Sequence, residues 1–343
     1  MQSTLIAVDL AKNVFEIAVS RKPGKVAERH RLSRAKFLPF FAERQPTTVL
    51  LEATGSAHHW ARELRQLGHQ PVLLPPRAVK RYRDGNKTDR NDAKSLLEAS
   101  RNEEIRPVPL KTVAQQTLTS LHRLRSAWMA TRTARINTVR GLLRELGLTI
   151  PLGARKVAPL VTSLLADPES AVLLALRSLL GEACEEIGHL EARIKSTERQ
   201  LEALAKEIPA VRYLRSIPGV GLLTATALYA FVGEVRRFPT ARHFASYLGL
   251  TPREHSSGNQ RRLGRISKRG DTYLRTLLTH GARAVPRAAH VADSPTRLHA
   301  WALAVQQRRG HNVAAIALAS KLARIVWAVW RKEQCFEATP KAD

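Results

Sequence analysis

The chain has 343 residues with 44% hydrophobic content, enough for two domains that each bury a core, so disorder is not the expected state. Its 56 Lys and Arg against 29 Asp and Glu leave a formal charge of +27, which points to a polyanionic partner, with acidic protein or membrane surfaces as the lesser alternative. The only cysteines, Cys184 and Cys335, are far apart and without His or Cys at ligand spacing, so they support neither a disulfide framework nor a zinc site.

The first residues lack the basic and apolar regions of a signal peptide, and no apolar run reads as a membrane span, so a soluble, cytoplasmic protein is expected. An apolar run from Thr4 to Val8 ends in Asp9, and after a Lys12-Asn13 turn Val14 to Val19 alternates as a strand does, which predicts a hairpin. A polar strand near Glu28 to Leu32 and a helix around Ala35 to Glu43 follow. A buried strand, Thr48 to Leu51, then delivers Glu52. An amphipathic helix from Ala57 to Leu67 ends at Gly68, and Pro71 to Leu74 gives another short strand. Asp89 to Arg101 reads as a helix, and Arg106-Pro-Val-Pro109 as the linker closing a first domain at about residue 110.

From Val113 to Leu146 apolar residues recur at helical steps, interleaved with Arg123, Arg125, Arg132, Arg135, Arg140 and Arg144. Charge of nearly one sign favours nucleic-acid backbone contact over a merely solvated face. Ile187, Leu190, Ile194, Leu201, Leu204 and Ile208 keep a heptad spacing broken only at Thr197, which predicts a coiled-coil hairpin or dimer arm, with an ordinary core helix as the alternative. A basic helical arm thus occupies 111–208, and a mainly helical C-terminal domain 209–335, closing with the apolar helix Val313 to Trp330.

Asp9 and Glu52 each follow an apolar strand, and Asp89 and Asp92 share one helix face at i and i+3. If these carboxylates converge they require cations, and hard oxygen donors suit Mg2+ and phosphoryl transfer. Singly, each is more often a surface group or helix cap, and Asp89 in particular suits the cap of the helix it begins. Ile217-Pro218-Gly219-Val220-Gly221 before a helical run resembles the hairpin of a helix-hairpin-helix motif, in which Gly219 and Gly221 would let backbone N–H groups reach a phosphate. A tight helix–helix turn explains the same glycines.

Three N-terminal stretches, Ile6 to Phe15, Leu51 to Trp60 and Gly85 to Ala93, together with Ile217 to Gly221, His255 to Gly258 and Leu263 to Asp271, closely resemble the DEDD-type transposases of bacterial insertion sequences. That family includes RNA-guided bridge recombinases, and the resemblance covers essentially the whole chain. It implies a ribonuclease-H-like, RuvC-like α/β domain at 1–110 whose four acidic residues fall on Asp9, Glu52, Asp89 and Asp92, holding Mg2+. It also implies a serine nucleophile in the segment His255-Ser256-Ser257-Gly258, for which Ser257 is the choice and Ser256 the alternative. Arg253, Arg261, Arg262, Arg265, Lys268 and Arg269 surround it with charge suited to a scissile phosphate. A plain polar turn is the bland reading of the two serines.

DNA transposition is the implied activity, guided by an element-encoded RNA. A homo-oligomer, dimer or tetramer, would let Ser257 from a second subunit or domain complete the metal site. The enzymatic rival is a Holliday-junction resolvase-like endonuclease in which the carboxylates activate water. The non-enzymatic rival is an inactive nucleic-acid-binding remnant.

Overall fold

The computed structural model describes residues 4–83, 89–289 and 296–337, excluding the side chains of residues 89, 90 and 289. The chain divides into two compact units, Met1–Thr112 and Val113–Asp343.

In the first unit, β1 (Leu5–Leu10), β2 (Val14–Ser20), β3 (Glu28–Ser33), β4 (Thr48–Glu52) and β5 (Gln70–Leu74) form one sheet in the order β3-β2-β1-β4-β5. The β1–β2 and β2–β3 pairs are antiparallel, while β1–β4 and β4–β5 are parallel. This mixed sheet is compatible with a ribonuclease-H-like arrangement. Side chains alternate between its faces. On one face Ile6, Val8, Phe15, Ile17 and Leu51 pack with Phe37 and Phe41 of α1 (Arg34–Ala42) and Trp60 of α2 (Ala57–Gln66). Phe15, Phe37 and Trp60 meet edge to face with centroids 4.7 to 5.2 Å apart. On the other face Ala7, Ala18 and Leu50 leave room for Ala93, Leu96 and Leu97 of α4 (Asp89–Ala99), which follows the single-turn α3 (Pro76–Val79). The predicted linker is docked: Val108 N–H donates to Leu73 O at 2.7 Å along β5.

The second unit opens with α5 (Val113–Glu145) and, after α6 (Val157–Ala166), α7 (Leu174–Lys206); α5 and α7 are each 33 residues long. They run antiparallel, joined by Arg125–Glu198, Arg132–Glu191 and Arg135–Glu186 hydrogen bonds of 2.8, 3.2 and 3.0 Å. Arg140 donates to the carbonyls of Pro151 and Gly153. The arm's arginines are therefore largely occupied within the hairpin, and only Arg123 and Arg144 of the six are exposed. The expectation of a one-signed nucleic-acid face overlooked the glutamates that α7 supplies from some sixty residues away in the chain. Of the heptad residues, Ile187 packs with Ile136, Val139 and Leu143 of α5 and Leu201 with Leu118, whereas Leu204 is exposed and Ile208 lies beyond α7. Thr197, which breaks the heptad, is buried and donates its Oγ1 hydrogen to Arg193 O.

The body beyond the arm comprises α8 (Pro209–Arg215), α9 (Leu222–Val232), α10 (Ala241–Tyr247), a hairpin of β6 (Pro252–Glu254) and β7 (Leu263–Ile266), then α11 (Thr272–Ala289), α12 (Arg297–Arg309) and α13 (His311–Lys332). The expectation of no span-like helix is corrected here, because α13 is long and apolar enough to cross a membrane. It is instead the centre of the core, burying Leu318, Leu322, Val326 and Trp330 against α10, α11 and α12. Its apolarity, spread through small residues such as Ala314, Ala319 and Ala323, serves close helix packing.

A buried polar link ties the arm to this body. His122 of α5 lies 3.0 Å from Thr226 Oγ1 of α9 and 2.9 Å from Tyr273 OH of α11. The Thr226 hydroxyl already donates to Leu222 O, so Nε2–H donates to Thr226 and Nδ1 accepts from Tyr273. Accepting from Tyr273 needs the neutral ring, and burial, with Arg125 nearby, lowers its pKa to about 4 from 6.5. The unfolded chain binds this proton below about pH 6.5 and the folded one only near pH 4. Stability should therefore be intact above that window and fall by about 3 kcal/mol as pH drops through it. Urea midpoints measured from pH 7 to 4 should show this slope, and His122→Gln should lack that share of it; equal slopes would refute the assignment.

Candidate functional site

The first unit gathers acidic side chains at one end of its sheet. The parallel register pairs Val8 with Leu51, so the next residues, Asp9 and Glu52, lie side by side at the strand ends. Alternation puts both on the face of Ala7 and Leu50, the face that α4 covers. Asp92 precedes Ala93, which packs on that face, so it is carried by the helix that covers Asp9 and Glu52. The side chain of Asp89, and the segment Gly85 to Thr88 before it, lie outside the described residues.

Two residues of this region were not read from sequence. Glu16 of β2 stands directly opposite Asp9 and is bound by Arg31 Nε at 3.3 Å. Hairpin register was the available signal for it. Arg83 Nε lies 2.6 Å from Asp92 Oδ1, whose side chain is only 13% exposed. A carboxylate so far out of water needs a countercharge, and Arg83 supplies it. Arg83 lies outside any periodic element, so no pattern announced it. Among the described residues no three acidic, His or Cys side chains gather closely enough to hold a metal ion. In kind, though, carboxylates of two strands and a helix are the hard donor set a divalent cation takes.

The serine segment is the tip of the β6–β7 hairpin. Ser257 and Gln260 exchange backbone hydrogen bonds of 3.3 and 3.1 Å around Gly258, whose φ of 56° occupies a position that two-residue hairpin loops reserve for glycine. The polar-turn reading is thus correct as local structure. The two hydroxyls differ sharply in surroundings. Ser256 Oγ donates to Glu254 Oε1 at 2.7 Å and accepts from Arg262 N–H at 3.1 Å. Ser257 is exposed, and among the described residues its hydroxyl has no partner. Arg253, Arg261, Arg262, Arg265, Lys268 and Arg269 are all exposed on or beside the hairpin, and of these Arg261 lies 3.4 Å from Glu254. Lys268 holds a left-handed φ of 54° beside Gly249 and Gly270, whose backbones are too close to neighbours to admit a side chain. That tight junction fixes the base of the hairpin against α10 and α11.

The glycines of the Ile217–Gly221 turn divide by role. A Cβ on Gly219, where φ is 84°, would stand 2.8 Å from Gly281 O, and one on Gly281 would stand 1.9 Å from Gly219 O. This glycine pair is required for the turn to lie on α11. Gly221 has open space around its Cβ position and an ordinary φ of −84° as the residue before α9. Gly221 is exposed at the N-terminus of α9, and it and Gly219 line the same pocket.

Comparison with known proteins adds the following. The family described as "Transposase IS116/IS110/IS902 family" matches residues 211–297, and a second, described as a DEDD transposase of the IS110 type, matches 6–147. A "Probable family 20 transposase" of Pseudomonas aeruginosa is 45% identical over 98% of this chain and 99% of its own length. The "Transposase for insertion sequence element IS1111A" of Coxiella burnetii is 39% identical over 97% and 91%, and that of IS1328 from Yersinia enterocolitica 35% identical over 95% and 96%.

The packing of the glycine pair predicts that Gly219→Ala and Gly281→Ala each cost about 1–3 kcal/mol or more in urea denaturation, the range of overpacking into a filled site. Gly221→Ala should leave stability within about 0.5 kcal/mol. Equal costs at all three positions would contradict the packing role.

Proposed function

The chain belongs to the IS116/IS110/IS902 family of transposases, DNA-binding enzymes that transpose insertion sequences, and from that premise we propose that it cuts and rejoins DNA through an acidic metal centre and the serine of the β6–β7 hairpin. The observation that carries this reading is the side-by-side placement of Asp9 and Glu52 on the α4 face of the mixed sheet, which we read as RuvC-like. Two adjacent parallel strands ending in carboxylates have no value to a core and considerable value to phosphoryl chemistry.

Asp9, Glu52, Asp92 and Asp89 would hold Mg2+, the family's divalent metal in our reading. When bound, such an ion supplies positive charge to the oxygens of a phosphoryl group. Arg83 orients Asp92 through its hydrogen bond. On the hairpin, Ser257 attacks the scissile phosphorus: its Oγ–P bond forms as the P–O bond to a sugar breaks, and the hydroxyl proton ends on the departing sugar oxygen. The phosphoserine ester conserves the energy of the broken phosphodiester for rejoining, which attack by water would not. Arg253, Arg261, Arg262, Arg265, Lys268 and Arg269 neutralise the phosphates on either side. Ser257 is favoured because its hydroxyl is exposed and unengaged. One observation favours Ser256, the carboxylate of Glu254 at 2.7 Å, which could take its proton.

An element-encoded RNA that pairs with donor and target DNA is the expected guide, and the charge of +27 suits both nucleic acids. A dimer or tetramer in the cytoplasm is the expected working form. Leu152, in the loop between α5 and α6, and Leu174, the first residue of α7, are 93% and 85% exposed, apolar surface that such an assembly would cover.

The test is strand exchange by purified protein with Mg2+, the element's flanking RNA and end-labelled junction DNA. Protein covalently attached to DNA is expected from the wild type and from Ser256→Ala, and none from Ser257→Ala or Asp9→Ala. Adducts lost in Ser256→Ala but kept in Ser257→Ala would transfer the role to Ser256. Hydrolysed ends that survive both serine variants but not Asp9→Ala would establish a resolvase-like nuclease instead.

A further inference from the structure

Below the serine hairpin the second unit contains a pocket of about 720 Å3, walled on one side by β7 and the turn after it and on the other by α12 and α13. Its apolar lining comes from Pro252, Ile266, Trp301, Val313 and Ile316. Arg265, Lys268 and Arg324 stand around it, and none of its lining residues is acidic. The functional reading uses the charges of Arg265 and Lys268 but gives the pocket itself no task.

We propose that this pocket receives one or two unstacked bases of a nucleic-acid strand whose phosphates run along the hairpin, with Trp301 as the stacking platform. The inference rests on the hairpin being a nucleic-acid contact, and extends it to what becomes of the bases. Chemistry selects this occupant. A base offers a flat apolar face with polar edges, and binds by stacking on aromatic rings while neighbouring cations hold its phosphate. An apolar peptide would find no use for a wholly cationic surround.

The polar groups in the wall are placed for an edge. Asn312 Oδ1 accepts from Arg283 Nη2 at 3.3 Å, which orients the amide and leaves its N–H groups without a partner among the described residues. Ser320, another lining residue, has a hydroxyl likewise without one. Trp301 is held in place by Lys321, whose Nζ lies 4.1 Å from the ring centroid. Burial, and secondarily the adjacent Arg324, lower the pKa of Lys321. β7 leads from the hairpin tip to the pocket, so a strand engaged at Ser257 could follow it there.

Photo-cross-linking of the full-length wild-type protein tests this. Single-stranded DNA and RNA of one sequence, each carrying 5-iodouracil, are irradiated in complex with it, and adducts are mapped by mass spectrometry. We expect the adduct on the tryptic peptide spanning 298–308, which holds Trp301, and the two arms tell whether DNA or RNA supplies the base. Trp301→Phe should keep the adduct, whereas Trp301→Ala should lose it and weaken oligonucleotide binding about five-fold or more. Adducts confined to other peptides while binding persists would overturn the pocket assignment, and that result needs no variant to fold. A Trp301→Ala protein whose only change is in oligomeric mass would also overturn it, in favour of a second copy as occupant. Failure of the hairpin reading is separable: Arg261→Glu and Arg262→Glu would then bind nucleic acid as tightly as the wild type.

Discussion

The parallel register between β1 and β4 is the constraint on which the N-terminal unit depends. Strand side chains alternate with a period of two, so a shift of one residue would send Asp9 or Glu52 to the face packed by Phe15, Phe37 and Trp60. A carboxylate there would be buried without a partner, at a cost of several kcal/mol. The aromatic core on one face therefore protects the register, and the register holds the acidic pair on the other. Small residues at Ala7 and Ala18 complete the arrangement by admitting α4, the helix that carries Asp92, close to the sheet.

A second constraint operates at the hairpin. Residues 253 to 265 are exposed, and strands this short have little stability of their own. Rigidity comes from below, where Gly249 and Gly270 allow the chain after β7 to lie against the end of α10, and Arg275 donates to the carbonyls of Leu248 and Gly270. The serine is thus presented on an exposed ribbon with an anchored base. An enzyme that must grip phosphates over an extended substrate needs this combination of reach and fixed geometry.

Charge is distributed by the same logic. Of the arginines along α5, those facing α7 are spent on its glutamates, so the arm is a self-paired hairpin rather than a cationic rod. On the hairpin, Arg261 lies 3.4 Å from Glu254 in a segment otherwise dense in exposed cations, which presents a positive potential to a polyanion. Net charge alone does not say which basic segment contacts nucleic acid. Proximity of acidic residues in space does.

Much was legible in the sequence. The strand–strand–strand–helix–strand order, the acidic residues at strand ends, the docked helix after residue 89 and the long arm follow from period and punctuation, which act over a few residues. The motifs carried the family, because their spacing samples the whole chain. What the sequence could not decide were events between distant segments. These are the Arg125–Glu198 ladder, the Arg83–Asp92 pair, the seating of Gly219 on Gly281 and the unequal surroundings of Ser256 and Ser257. Each depends on which side chains meet after the chain has folded back on itself, and a local pattern contains the residues of such a meeting but not the distance between them.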